Sequence, residues 1–167
     1  GDLGGGVRAK GEFGKGLYLD GGGGAATIPD ASLMQFGKDD FSIECWLCPM
    51  VLDIASEHKR RRVIEKCGYP STWWNLDLQT DGKIWMEMID DQGNNGTSLS
   101  SGALPARQWT HVAITVDRGN LKTRFYFDDR LDSVRDLPAS FLGNLNVPDK
   151  PLSTGTWQQY IGLLDEL

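Results

Sequence analysis

The stretch that decides the fold is WWNLDLQTDGKIWMEMID, residues 73–90, in which two runs of alternating side chains flank Thr80-Asp81-Gly82. This pattern is typical of two strands joined by a short turn. If all three residues form the turn, with Gly82 at positive φ, the side chains separate into two faces. One face is wholly apolar, whereas the other pairs Asp77 with Trp85, Asn75 with Glu87 and Trp73 with Ile89. A two-residue turn would instead place Leu76 opposite Glu87, so we predict the three-residue turn.

Short runs of β-forming residues surround this hairpin, and 21 glycines punctuate the chain. We expect further strands over 16–20, 41–47, 109–117, 122–128 and 160–167. No segment longer than about ten residues has a helical period, and one helical turn is expected within 29–36. The chain is therefore predicted to be all-β, with the pattern of a sandwich or a barrel. Its core should contain Trp74, Leu76, Leu78, Ile84, Met86, Met88, Val112, Ile114, Val116, Phe125 and Phe127.

The charge balance limits the partners. The net charge is −6 and the pI about 4.8, which argues against a nucleic-acid partner because phosphate binding needs a cationic field. One basic run, HKRRR at 58–62, is expected to be a solvated loop or strand edge, with a patch for acidic polysaccharide as the alternative. No apolar run approaches the roughly 18 residues of a membrane span, so no membrane partner is expected.

Three cysteines permit at most one internal disulfide. Cys45 and Cys48 are three residues apart in a predicted strand and should point to opposite faces, which prevents a bond between them. Cys67 can pair with either, and three free thiols are the alternative.

Five segments carry motifs in a characteristic order: Gly16–Gly21, Phe41–Pro49, Gln108–Ala113, Phe125–Asp129 and Ile161–Leu167. In this order they resemble a laminin-G-like jelly roll of the concanavalin A-like lectin/glucanase superfamily. Asp129 departs from the pattern, because relatives usually have glycine there. The resemblance covers nearly the whole chain and implies one domain, residues 1–167, with two antiparallel sheets packed face to face, one of them concave. Because the chain starts at Gly1 rather than Met, we expect a domain excised from a larger secreted protein.

The sequence does not indicate an enzyme. Glycosidases on this fold carry closely spaced carboxylates such as Glu-x-Asp-x-Glu, and no such string occurs here. Asp77 and Glu87 share a face in the predicted register, where they are interpreted as hydrogen-bonding groups for a sugar. His111 lies within the Trp-Thr-His motif of the family, so we expect it to be structural.

The same hairpin face predicts a binding site. Sugar rings have one apolar C–H face and hydroxyls around the edge, which suits an aromatic platform with fixed polar groups. The site is predicted to comprise Trp73, Asn75, Asp77, Trp85 and Glu87, with Tyr69 and Trp157 at its rim. We therefore expect a non-catalytic carbohydrate-binding module that binds a polysaccharide through a concave face. A protein-binding adhesion or structural laminin-G-like domain is the alternative.

Two further expectations follow from the resemblance. Relatives often hold a structural calcium ion where the first and last strands meet, which implies Asp20 and Asp165 as ligands through hard oxygen atoms. A module that meets polysaccharides is expected to be secreted or periplasmic, and to be a monomer tethered to other domains.

Overall fold

The computed structural model describes residues 2–4, 6–22, 25–52, 60–154 and 158–167. Within these ranges the chain forms thirteen strands and one short 3₁₀ helix, Ser32–Met34, inside the predicted helical turn. The strands are β1 Val7–Lys10, β2 Lys15–Asp20, β3 Thr27–Ile28, β4 Phe41–Pro49, β5 Arg60–Gly68, β6 Thr72–Gln79, β7 Lys83–Ile89, β8 Ser98–Ala103, β9 Thr110–Asp117, β10 Lys122–Phe127, β11 Arg130–Asp136, β12 Leu152–Ser153 and β13 Ile161–Asp165.

The strands form two sheets, as predicted. One has seven strands in the order β1-β2-β13-β4-β9-β10-β11, and the other has six in the order β3-β12-β5-β6-β7-β8. All pairings between these strands are antiparallel. The predicted all-β sandwich is confirmed. No helix among the described residues is long and apolar enough to span a membrane.

The β6–β7 hairpin has the predicted register. Leu76 pairs with Met86, Asn75 with Glu87 and Asp77 with Trp85. Gly82 has a φ of 85°, and its amide donates to the carbonyl of Gln79 at 2.9 Å. The three-residue turn is therefore confirmed.

Side chains from both sheets form one hydrophobic core. Ten of the eleven predicted core residues are buried to 2% exposure or less, and Phe127 is partly buried against them. Tyr160 and Phe141 are also fully buried, although the sequence pattern did not place them in the core. Both residues come from segments without clear alternation.

The described part of the basic run, Arg60 to Arg62, is not a solvated loop or an edge strand. Arg60 begins β5, which lies between β12 and β6 inside the six-stranded sheet, and Arg62 is only 8% exposed. A bulge between Arg62 and Ile64 shifts the register of this strand. The arginines are tolerated here because carboxylates on the same sheet compensate their charge. His58 and Lys59 lie outside the described residues.

All three cysteines are free, which is the second of the two alternatives that the sequence left open. Cys45 and Cys48 are buried in β4, whereas Cys67 is exposed on β5 of the other sheet. Burial raises the pKa of the Cys45 thiol to about 12, because the thiolate would lose its hydration.

We predict that the folded protein reacts with a thiol reagent at Cys67 alone, because thiolate formation and access are suppressed at the two buried cysteines. Titration with a chromogenic disulfide should give one rapid thiol in the native state and three after unfolding without reductant. A Cys67→Ser variant should show no rapid thiol. A total of one thiol after unfolding would contradict this account, because it would reveal a disulfide.

Candidate functional site

The candidate site is the face of the six-stranded sheet that points away from the core, here called the outer face. Its side chains lie in three rows across β5, β6 and β7, as the strand pairings show. The rows are Cys67–Trp73–Ile89, Glu65–Asn75–Glu87 and Arg62–Asp77–Trp85. The structure therefore brings together the five predicted hairpin residues and adds residues of β5 to them.

A buried ion-pair network occupies one part of this face. Arg62 Nε donates to Asp77 Oδ1 at 2.6 Å, and Arg62 Nη1 donates to Glu65 Oε2 at 2.5 Å. The second oxygen of Asp77 lies 3.4 Å from Arg60 Nε. Asp77 is 1% exposed and Glu65 is 7% exposed, so these charges are almost entirely out of water.

Burial and pairing act in opposite directions on these groups. Burial raises the pKa of Asp77 more than the neighbouring Arg62 and Arg60 lower it. Although burial acts to lower it, the pKa of Arg62 is raised, because Asp77 and Glu65 favour the charged guanidinium. Arg62 therefore holds Oδ1 of Asp77 by a hydrogen bond, whereas Oδ2 of Asp77 makes only an ion pair, with the Arg60 guanidinium at 3.4 Å.

Asn75 lies beside this network and has no partner for its side chain. It is 0% exposed, and neither Nδ2 nor Oδ1 makes a hydrogen bond to any described residue. The indole Nε1 of Trp85, on the neighbouring strand, is buried without a partner as well. Native proteins rarely leave buried polar atoms unpaired, so this part of the face calls for a polar guest such as water or a ligand hydroxyl.

The two predicted tryptophans are both partly exposed but have different neighbours. The Arg60 guanidinium carbon lies 5.3 Å from the ring centroid of Trp85. Trp73 instead packs beside Tyr69, with 5.5 Å between ring centroids and 51° between the ring planes. Tyr69 is 75% exposed, and its place at the rim of a sugar site stays a prediction. Trp157 lies outside the described residues.

Three residues of this site were not predicted from the sequence: Arg60, Arg62 and Glu65. Their signal is weak because the bulge in β5 breaks the alternation between Arg62 and Glu65. The predicted hairpin face carries more carboxylates than cations. This excess is the sequence feature that indicates a positively charged neighbouring strand.

The two aspartates expected to hold calcium lie apart. Asp20 is paired with Ile161 in the β2–β13 ladder, and Asp165 lies four residues further along β13, about 13 Å away at the strand rise of about 3.3 Å per residue. Asp20 accepts from the Gly22 amide, and Asp165 accepts from the Phe13 amide. No group of three or more metal-binding side chains occurs in the described part of the chain. Calcium binding stays a prediction, but Asp20 and Asp165 are too far apart to bind the same ion.

Comparison with known proteins places this geometry in a family. A family model described as the concanavalin A-like lectin/glucanases superfamily, of the laminin G type, matches residues 20–167. The chain belongs to this laminin-G-like family. The predicted resemblance is thereby confirmed.

Solved structures show where else this laminin-G-like sandwich occurs. The binding domain of Paraclostridial Mosquitocidal Protein 1 has a TM-score of 0.78 at 17% identity over 96% of this chain, which spans 41% of that chain. Domain 4 of AbnA, a GH43 extracellular arabinanase from Geobacillus stearothermophilus solved with arabinotriose, gives 0.68 at 19% identity, covering 96% and 72% of the two chains. The Ruminococcus gnavus IT-sialidase CBM40 bound to α2,3-sialyllactose gives 0.60 at 14% identity, covering 99% and 90%.

At these identities the structural likeness establishes the fold alone. A search of curated protein sequences found no match.

We predict that Asp77→Ala destabilises this laminin-G-like domain by about 3–5 kcal/mol, because it removes one partner of a buried pair and leaves Arg62 undercompensated. The matched control is Asp136→Ala, whose carboxylate pairs with Lys122 at the surface and should contribute less than about 1 kcal/mol. Urea unfolding followed by tryptophan fluorescence measures both. Equal effects of the two variants would contradict the proposed network.

Proposed function

We propose that this domain is a non-catalytic carbohydrate-binding module, and that the outer face of its six-stranded sheet binds a polysaccharide. The observation that carries the proposal is the buried, unpartnered amide of Asn75 between two partly exposed indoles. The proposed site comprises Trp73, Asn75, Asp77, Trp85 and Glu87, with Tyr69 at the rim.

A sugar matches this set of groups chemically. A hydroxyl both donates and accepts hydrogen bonds, so it can satisfy Oδ1 and Nδ2 of the same asparagine. The C–H face of a sugar ring is apolar and packs on an aromatic ring. The partly exposed carboxylate of Glu87, beside Asn75, can accept from a further hydroxyl. An apolar protein side chain would leave Asn75 unsatisfied.

The ion pairs support a binding role over catalysis. A glycosidase needs one carboxylate free to donate a proton and a second free to attack or to activate water. Asp77 is held by Arg62, and Glu65 is held by the same guanidinium. These carboxylates are therefore engaged in shaping the floor of the site.

The structural neighbours are consistent with this proposal. The arabinanase domain was solved with arabinotriose, and the sialidase module was solved with sialyllactose. Both belong to larger carbohydrate-active proteins by name, and the arabinanase is extracellular. We accordingly propose an extracellular setting, in which the domain holds a larger protein on a glycan.

The direct test is a glycan-array screen followed by calorimetry on the parent domain and a Trp73→Ala/Trp85→Ala double variant. Stacking contributes about 1–2 kcal/mol per ring, so the parent should bind with a Kd in the micromolar to millimolar range and the double variant should not bind detectably. A folded double variant that binds as the parent does would contradict the proposal. Binding of a protein partner without any glycan would favour the adhesion alternative.

We further predict that Asn75→Leu weakens glycan binding without lowering the stability of the domain. The substitution removes two unpaired polar atoms from a buried position, so the free energy of unfolding should stay equal or rise by about 1–3 kcal/mol. Glycan affinity should fall by about tenfold, because a hydroxyl loses both its donor and its acceptor. Chemical denaturation and calorimetry measure the two effects. A Thr123→Val variant serves as control: its hydroxyl accepts from Ser98 in the interior, so it should lower stability and leave binding unchanged.

A further inference from the structure

The two tryptophans of the outer face differ in what lies against their rings. Arg60 covers Trp85 at 5.3 Å, within the cation–π range of about 6 Å. The same guanidinium lies 3.4 Å from Asp77 and 3.8 Å from Glu87. A sugar that stacked on this side of Trp85 would have to displace a cation held by two carboxylates. Trp85 is therefore poorly suited as a stacking platform.

The other end of the face is built differently. Tyr69 and Trp73 meet at 51° with 5.5 Å between centroids, so their rings form the two walls of a corner. Tyr69 is 75% exposed, and Cys67, the cross-strand neighbour of Trp73, is exposed too. One sugar ring can pack its C–H face on one wall while its edge contacts the other. Asn75 follows two residues along β6 on the same face, and because its side chain is 0% exposed, a sugar hydroxyl bonds to its amide only when the side chains around it move apart.

The charges of this face disfavour acidic sugars. Its described ionisable groups in the ion-pair network are Arg60, Arg62, Glu65, Asp77 and Glu87, two cations against three anions. Both arginines already lie against carboxylates. A sugar carboxylate would meet a surplus of negative charge and would have to compete for a guanidinium, which costs desolvation without a new pairing.

We infer that the corner formed by Tyr69 and Trp73 is the stacking subsite and that it takes an uncharged sugar, one hydroxyl of which reaches Asn75. Trp85 and Arg60 support the floor of the site without contacting the stacked ring. This inference rests on the proposed function and specifies its subsite and its class of ligand.

The test compares single variants by calorimetry against neutral probes, arabinotriose, xylotriose, cellotriose and maltotriose, and acidic probes, α2,3-sialyllactose and trigalacturonate. Binding should be confined to neutral probes. Tyr69→Ala and Trp73→Ala should each weaken it by about tenfold, whereas Trp46→Phe, on the seven-stranded sheet, should stay within about twofold of the parent.

Cys67 provides a second readout that needs no substitution. A neutral oligosaccharide in the corner should slow alkylation of this exposed thiol by iodoacetamide, because the thiol lies opposite Trp73. An unchanged alkylation rate at saturating sugar would overturn the subsite assignment.

The two proposals fail in different ways. Full binding in Trp73→Ala, or binding of the acidic probes alone, overturns the inference and leaves the proposed function standing. Absence of binding to every probe contradicts the proposed function itself.

Discussion

The structure depends on the register of the β6–β7 hairpin. Gly82, at a φ of 85°, allows a three-residue turn, and that turn fixes which side chains face the core. A shift by one residue would move Leu76 and Met86 into solvent and carry Asn75 and Asp77 into the core. The same backbone constraint thus defines the hydrophobic interior and places a polar, aromatic set on the outer face. Fold and candidate site are consequences of one pairing.

Packing on the outer face carries an energetic cost that the core offsets. Removing Arg62, Glu65 and Asp77 from water is unfavourable, and their mutual pairing compensates this only partly. Asn75 adds a buried amide without a partner. A sheet whose only role was structural would be more stable with apolar residues at these positions. Retaining such groups beside two indoles is the pattern expected where a polar ligand completes the interactions.

Local signals explain what could be predicted from sequence. The two faces of the hairpin and the strands β9 and β10 could be predicted from alternating side chains and turn residues. These signals depend only on residues that are close in the sequence. The burial of Arg62 depends on Asp77, fifteen residues away, and on a bulge that alternation cannot reveal. The separation of Asp20 from Asp165 depends on the register between the second and last strands. Cys67 lies on a different sheet from Cys45, which spacing alone did not indicate. The positions that could not be predicted from the sequence therefore depend on pairings between residues far apart in the chain.

The most direct measurement is a ¹⁵N-resolved NMR titration of the domain with the neutral oligosaccharide that it binds. We expect the side-chain amide of Asn75 and the indole N–H of Trp73 to shift together along one saturable curve. The indole of Trp46, on the seven-stranded sheet, should not move. Shifts confined to that sheet or to its loops, with the Asn75 amide unchanged at saturation, would contradict the claim that the outer face of the six-stranded sheet binds the sugar.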